Sequence, residues 1–369
     1  MSSDKSEIII EHYNYLDGLR GVAALLVLSV HLLQIINLFN GKSFSFGAYG
    51  VQLFYILSAL TLFLSSSQRF TSESKASLKF FIRRFFRIAP LFYIAVVLSW
   101  ILMGGIDYRL PTQGITISNI ISHFLFLFGF NKYWINSVVG VEWSVFCEVF
   151  FYLSLPLLFN YIKNKKTAIK LALFSVFISF IFKYFIQYFY PGDSLLYEWS
   201  SLFILSNYCY FTFGIILYFL FKDNKHYNFN VLTIGWIFFI ILIGLILIIQ
   251  PTHFGALLSS IPLALLVFLM RYKFPLTYIF NNKLTRFVGK ISYSIYLVHF
   301  MVLGLFAKLV INSNLLFFNQ NIFTRLLGIF GAVFFVIIIS MISYRLIERP
   351  GINFGRNLIK KISTRKQII

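Results

Sequence analysis

Arg20 and His31 sit eleven positions apart on the first apolar stretch of the chain. At about 100° per residue a helix returns both to one face, three turns and roughly 16 Å apart along its axis. Asp17, one turn before Arg20, can pair with its guanidinium. An imidazole inside an apolar helix is a candidate general base or acyl carrier, because histidine ordinarily titrates near operating pH. The plainer reading makes His31 an interhelical hydrogen-bonder, Asp17 an N-cap and Arg20 a snorkelling anchor.

Three further groups of residues share faces. Arg83, Arg84 and Arg87 lie on one side of a helical turn ahead of Pro90. Three guanidiniums there can grip a multi-phosphate anion through paired N–H donors, although a basic anchor facing lipid would need the same charges. Trp143 opens an apolar run in which Ser144, Glu148 and Tyr152 recur at i, i+4 and i+8, one polar stripe on a helix of Phe, Val and Leu. A carboxylate inside a membrane must pair or line a wet cavity. Glu148 could orient a histidine, accept a proton or hold a sugar hydroxyl; a structural hydrogen bond is the alternative. Ser292, Tyr296 and His299 form a similar stripe, and His123 stands in a less apolar segment. As lone features both suit structural hydrogen bonding.

The elements carrying these residues follow from composition. The chain has 369 residues, 59% hydrophobic and only 12% charged, with 47 Phe. A soluble domain of that make-up has too little polar surface to cover itself, so one multi-spanning membrane domain is expected. The net charge of +20 would suggest nucleic acid in a soluble protein. Here Lys and Arg gathering in cytoplasmic loops explains it. Cys147 and Cys209 lie within apolar runs and imply neither a disulfide framework nor a metal site. The acidic first 17 residues do not read as a cleavable signal.

Eleven runs are long enough to consider as spans: 21–39, 47–67, 88–106, 115–131, 142–162, 167–189, 202–221, 231–249, 254–270, 291–311 and 323–346. If 115–131 crossed, Lys163, Lys165, Lys166 and the five basic residues of 271–290 would face outside, against the positive-inside rule. The expectation is therefore an all-α bundle of ten spans with both termini cytoplasmic. Residues 1–17 form a cytoplasmic N-terminal segment, 107–141 an outer-side segment of re-entrant type, and 350–369 a basic cytoplasmic tail. The Arg cluster and the Arg20–His31 helix then start from the cytoplasmic side, and the Ser144–Glu148 stripe descends from the other. That arrangement suits chemistry across a bilayer with an anionic cytoplasmic donor.

The chain resembles the membrane acyltransferase-3 family, which includes bacterial O-antigen and exopolysaccharide O-acetyltransferases. The resemblance rests on YLDGLRGVAALLVLSVH (15–31), LFYILSALTLFL (53–64), FFIRRFFRIAPLFY (80–93), WSVFCEVFFYLSLPLL (143–158), GKISYSIYLVH (289–299) and SYRLIERP (343–350). These follow the family's order along almost the whole chain. The resemblance implies that Arg20 and His31 are essential, with His31 catalytic. It associates Arg83, Arg84 and Arg87 with acyl-CoA binding, and it maps a Trp-Ser-x3-Glu pattern onto Trp143, Ser144 and Glu148. It also implies about ten spans. Two departures stand out. Ser58-Ala59 replaces the usual Ser-Gly, so the added methyl is expected to narrow a helix contact or the acyl tunnel. No soluble esterase-like domain follows the last span, so a stand-alone membrane enzyme is expected.

Together these readings predict an O-acyltransferase integral to the plasma, or bacterial inner, membrane, acting on a lipopolysaccharide or related polysaccharide. It would move an acetyl group from acetyl-CoA, used as co-substrate and without a metal, to a hydroxyl of an envelope glycan or lipid-linked sugar. His31, Arg20 and Glu148 are the expected catalytic groups. Trp143, Ser144, Tyr152 and His299 are the expected acceptor-side groups. Direct transfer and an acyl-His intermediate stay open. The main rival is a non-enzymatic transporter or flippase of envelope glycans, since polar stripes also suit a pathway. A glycan polymerase is disfavoured, because 107–141 holds only Arg109 and Lys132 as basic residues.

Overall fold

The computed structural model describes residues 13–36, 45–102, 114–223, 229–248, 255–272, 275–312 and 322–364. Arg109, His12, His226 and His253 lie outside them. The described residues contain no strand. Fifteen α-helices are described: α1 (Tyr15–Ile36), α2 (Tyr49–Ser72), α3 (Ala76–Leu102), α4 (Ile117–Phe124), α5 (Trp143–Tyr161), α6 (Lys165–Phe189), α7 (Ser194–Leu202), α8 (Ile204–Lys222), α9 (Phe229–Ile248), α10 (Gly255–Met270), α11 (Pro275–Phe280), α12 (Lys283–Lys290), α13 (Ser292–Asn312), α14 (Ile322–Ser343) and α15 (Arg349–Thr364). In hydrocarbon a helix satisfies every backbone group within itself, which is why a chain this apolar takes no other form.

Seven of the helical stretches are long and apolar enough to cross a membrane, and α12 with α13, bent by 68°, would make an eighth. Leu232–Ile241 and Ser259–Met270 are shorter apolar stretches. The weak run at 115–131 forms only the eight-residue α4 and a 3-10 turn at Phe128–Phe130. Eight residues extend about 12 Å, well short of a hydrocarbon core of about 30 Å. Thr116 caps α4 by accepting from the Asn119 N–H at 3.2 Å.

The segment expected as a basic tail is helical through Thr364. It continues α14 through a π-helical turn at Tyr344–Glu348. Its position follows from a proline. Pro90 inside α3 has no N–H to donate, and Gly351 and Gly355 of α15 pack against α3 at Phe86 and Pro90. The Phe86 and Phe354 rings meet there with centroids 5.0 Å apart.

The chain divides into two compact units, with boundaries inside α1, α2, α5 and, after its first residue, α13. The first contains α1 as far as Val27, Phe46–Ser67 and Leu153–Ser292. Within it Gly18 and Gly289 let backbones approach: a Cβ on Gly18 would strike the Phe280 carbonyl, and one on Gly289 the Asp17 carbonyl. Small residues play this part in membrane bundles, where close backbone approach replaces a hydrophobic driving force. Ala59 is fully buried and its methyl faces Gly214 of α8. The Ser58-Ala59 departure thus falls at a helix contact. The second unit holds the described parts of Leu28–Ser45, Gln68–Tyr152 and Tyr293–Ile369. Its core includes Phe80, Phe92, Phe128, Phe146 and Phe151, all essentially unexposed.

Candidate active site

Most of the residues singled out in the sequence fall within the second unit, where they form two groups along α5. The first group surrounds His31. The His31 ring lies 5.3 Å from that of His299, tilted by 33°, and Phe300 meets it edge-on at 5.1 Å. His299 is fully buried. Its Nδ1 lies 2.6 Å from the Tyr296 carbonyl and 3.2 Å from that of Ile295, so Nδ1 carries the proton and donates. Nε2 is left as a lone-pair acceptor, buried and without a hydrogen-bond partner among the described residues. A neutral imidazole held in one tautomer can take a proton from a hydroxyl or from another imidazole.

The stripe around His299 is fixed by the chain entering α5. Tyr296 donates from its hydroxyl to the Val141 carbonyl at 2.9 Å and also hydrogen-bonds Ser144. Ser144 donates to the same carbonyl at 3.3 Å. Gly140 has φ +88, a left-handed conformation that glycine adopts freely. A Cβ there would also run into the Phe300 ring, so glycine is needed for both backbone and space. Trp143 opens α5 and is half-buried.

The second group joins α3, α5, α13 and the π turn. Tyr152 donates a short hydrogen bond to Glu148 and hydrogen-bonds Arg84. The Arg84 guanidinium lies over the Phe80 and Tyr152 rings at 5.8 and 5.7 Å, a cation–π arrangement. Ser294 donates to Glu348 at 2.8 Å, and Tyr293 donates to the Ile88 carbonyl at 2.9 Å. The charges of Arg87, Glu148 and Glu348 all act on Tyr293. A guanidinium–phenol–carboxylate chain therefore runs through this region, so that each of these polar groups has a partner inside apolar surroundings.

The three arginines do not share one environment. Arg83 points elsewhere, with both terminal nitrogens 3.2 Å from Glu73. Arg84 belongs to the Tyr152–Glu148 chain, and Arg87 acts electrostatically on Glu348. Arg20 belongs to the first unit, where it bonds Asp17 at 3.0 Å and Thr61 at 2.5 Å. Residues that sequence reasoning passed over are Glu142, Tyr293, Phe300 and Glu348. Glu142 had a signal: in a chain with only 12 Asp and Glu, a carboxylate between Val141 and Trp143 is costly and needs a partner.

Fold and site together define a helical membrane protein with a two-histidine centre beside a hydrogen-bonded polar chain. The chain belongs to the acyltransferase-3 family, whose profile, described as an acyltransferase domain, matches residues 13–345. It is 30% identical over 298 residues to the protein named "Putative acetyltransferase ORF330" of Acidianus two-tailed virus, covering 77% of this chain and 81% of that one. It is 24% identical to the peptidoglycan O-acetyltransferase OatA of Listeria monocytogenes, covering 91% of this chain and 55% of OatA. It is 25% identical to "Putative O-acetyltransferase SAR0937" of Staphylococcus aureus, covering 96% and 59% respectively. The chain thus spans little more than half the length of the two bacterial relatives. No solved structure matches it.

Proposed function

We propose that this protein transfers an acyl group, with acetyl preferred, from acetyl-CoA to a hydroxyl of a cell-envelope glycan. The observation that carries the reading is the approach of His31 to His299 in a chain of this family. The names of two relatives support O-acetylation, and one of them names a glycan, peptidoglycan, as acceptor. The proposed setting is the plasma membrane, with ten spans and both termini cytoplasmic. The described spans, the bent pair and the two shorter apolar helices are compatible with it.

His31 is the proposed catalytic group. In direct transfer its imidazole removes the acceptor hydroxyl proton as the oxygen attacks the acyl carbon. The C–S bond then breaks and the departing thiolate takes the proton back. In the covalent route the imidazole nitrogen attacks the acyl carbon and the C–S bond breaks to release the thiolate; the acceptor hydroxyl then displaces the imidazole from the acyl carbon, and its proton passes to the thiolate. Arg83, Arg84 and Arg87 are proposed to hold the donor phosphates. A guanidinium that grips a carboxylate with two nitrogens, as Arg83 grips Glu73, can exchange it for a phosphate. Arg20 would stabilise negative charge on the donor. Glu148, Tyr152, Ser144 and Trp143 would orient the acceptor.

His31→Ala is expected to abolish O-acetyl signals in the NMR spectrum of envelope glycans while leaving the protein level unchanged. Acetyl signals that persist in that variant would remove His31 from the chemistry. In purified protein, loss of acetyl-CoA turnover with retained glycan binding is expected. Glycan movement without acetyl-CoA consumption would favour a transporter instead.

A further inference from the structure

α4 and the chain that leads from it to α5 hide a histidine–carboxylate pair. His123 and Glu142 are both completely buried. The His123 Nε2 lies 3.3 Å from Glu142 Oε1. Its Nδ1 lies 2.9 Å from the Asn119 carbonyl one turn earlier. A carbonyl only accepts, so Nδ1 carries a proton. Nε2 faces a carboxylate oxygen, and a second proton between the two is what makes that approach attractive. Without it a lone pair would face a carboxylate in a dry interior. The imidazole is stacked on Phe128 with centroids 4.3 Å apart and planes at 7°, and Phe92 stacks on it at 6.4 Å. Neither ring can be reached by water, and neither residue belongs to the group around His31.

What the pair holds is the chain that enters α5. Glu142 Oε1 accepts the Val138 N–H at 2.8 Å, closing the turn at 138–142. On the other side Asn119 donates to Ser137 at 2.8 Å. The loop is thus tied to α4 at both Ser137 and Glu142. From that loop Val141 offers the carbonyl that receives Tyr296, and Gly140 seats Phe300. The Tyr296 carbonyl in turn accepts the hydrogen bond of His299 Nδ1, and Phe300 meets the His31 ring. A continuous set of contacts therefore runs from Glu142 to both imidazoles of the candidate centre.

We propose that His123 and Glu142 form a buried, proton-sharing clasp that positions the 131–142 segment, and through it Tyr296, His299 and Phe300, around His31. The proposal rests on the acyl-transfer reading for its catalytic consequence, but not for the clasp itself. Burying an ion pair is weak as a stability device, because desolvation offsets most of the attraction, whereas it fixes geometry well. His123 and Glu142 are positioning residues: neither touches the reacting atoms.

Two variants test it in the full-length protein in detergent or nanodiscs. Glu142→Gln keeps an acceptor for the Val138 N–H and removes the carboxylate that faces Nε2. His123→Phe keeps the stack on Phe128 and Phe92 and removes both polar contacts. The first readout is amide hydrogen exchange and needs no substrate. Each variant is expected to raise exchange across 131–142 by about tenfold or more while leaving α6 and α8 unchanged. The second readout is O-acetyl transfer, where kcat is expected to fall about tenfold or more and the KM for acetyl-CoA to stay within about twofold. Unchanged exchange across 131–142 would overturn the clasp. So would faster exchange everywhere, including α6 and α8, because that marks a general loss of fold. A raised KM at constant kcat would overturn the positioning role. If the unmodified protein transfers no acetyl group, the functional reading fails, and the exchange measurement still decides the clasp.

Discussion

Arg83 and Arg84 are neighbours in sequence with opposite surroundings. Arg84 is enclosed by Phe80, Tyr152 and, beyond Tyr152, Glu148. Arg83 is 16% exposed at its side chain and bonds the 26% exposed Glu73. A part-exposed pair of this kind contributes about 1 kcal/mol or less, which a donor phosphate can outbid. Glu73→Gln is therefore expected to tighten acetyl-CoA binding about two- to fivefold by removing a competitor, as read by titration calorimetry. An affinity unaltered by that change would take Arg83 out of the donor site. Nothing comparable is expected from Glu142→Gln, whose carboxylate faces a histidine in a dry interior rather than a candidate phosphate-binding arginine.

Helix packing depends on a few positions without side chains. Gly289 approaches the Asp17 carbonyl so closely that an added methyl has nowhere to go, and the obstacle is backbone rather than a flexible side chain. Gly289→Ala is expected to lower stability by about 1–3 kcal/mol through overpacking, measured as a drop in the thermal midpoint in detergent. Gly331, in α14, has nothing within 4 Å of the same virtual methyl. Gly331→Ala should leave the midpoint unchanged or raise it slightly, since alanine is the better helix former. Equal midpoints for the two variants would refute the close-approach account. Pro90 works at the same scale: it lacks the N–H that would close the turn, and α15 settles where that turn is open.

The proposed ten-span topology makes a prediction about the whole molecule. Tyr133, between α4 and α5, is 42% exposed and is proposed to face outside. Lys166, at the start of α6, is exposed and is proposed to face the cytoplasm. In a background lacking Cys147 and Cys209, Tyr133→Cys should react with a membrane-impermeant maleimide in intact cells. Lys166→Cys should react only after the membrane is opened. The reverse pattern would invert the topology, and labelling of both in intact cells would require a further crossing between them. The 38-residue helical stretch Leu326–Ser363 bears on the same question. At about 1.5 Å per residue it is roughly 57 Å long, far more than the hydrocarbon needs. Its final turns, with exposed Arg349, Arg356, Lys360 and Lys361, therefore belong at or beyond an interface.

Much of this protein follows from local chemistry that a sequence carries openly. Apolar runs of helix length specify helices wherever water is absent. The i, i+4 and i+7 spacings specify which residues share a face, so the stripe of Ser144, Glu148 and Tyr152 and that of Tyr296 and His299 were legible. That 115–131 would not form a full span was legible too, from the basic loops that a crossing there would put outside. Partnership between helices was not legible, because spacing along one helix says nothing about which other helix faces it. The reach of His31 to His299 joins α1 to α13, the chain of Arg84, Tyr152 and Glu148 joins α3 to α5, and the burial of Glu142 against His123 joins two ends of a loop. Nor could spacing separate Arg83 from Arg84, which share a helical turn yet meet Glu73 on one side and Tyr152 on the other. Those pairings were decided by tertiary packing, where a buried charge or donor must find whichever partner the neighbouring helices bring within hydrogen-bond reach.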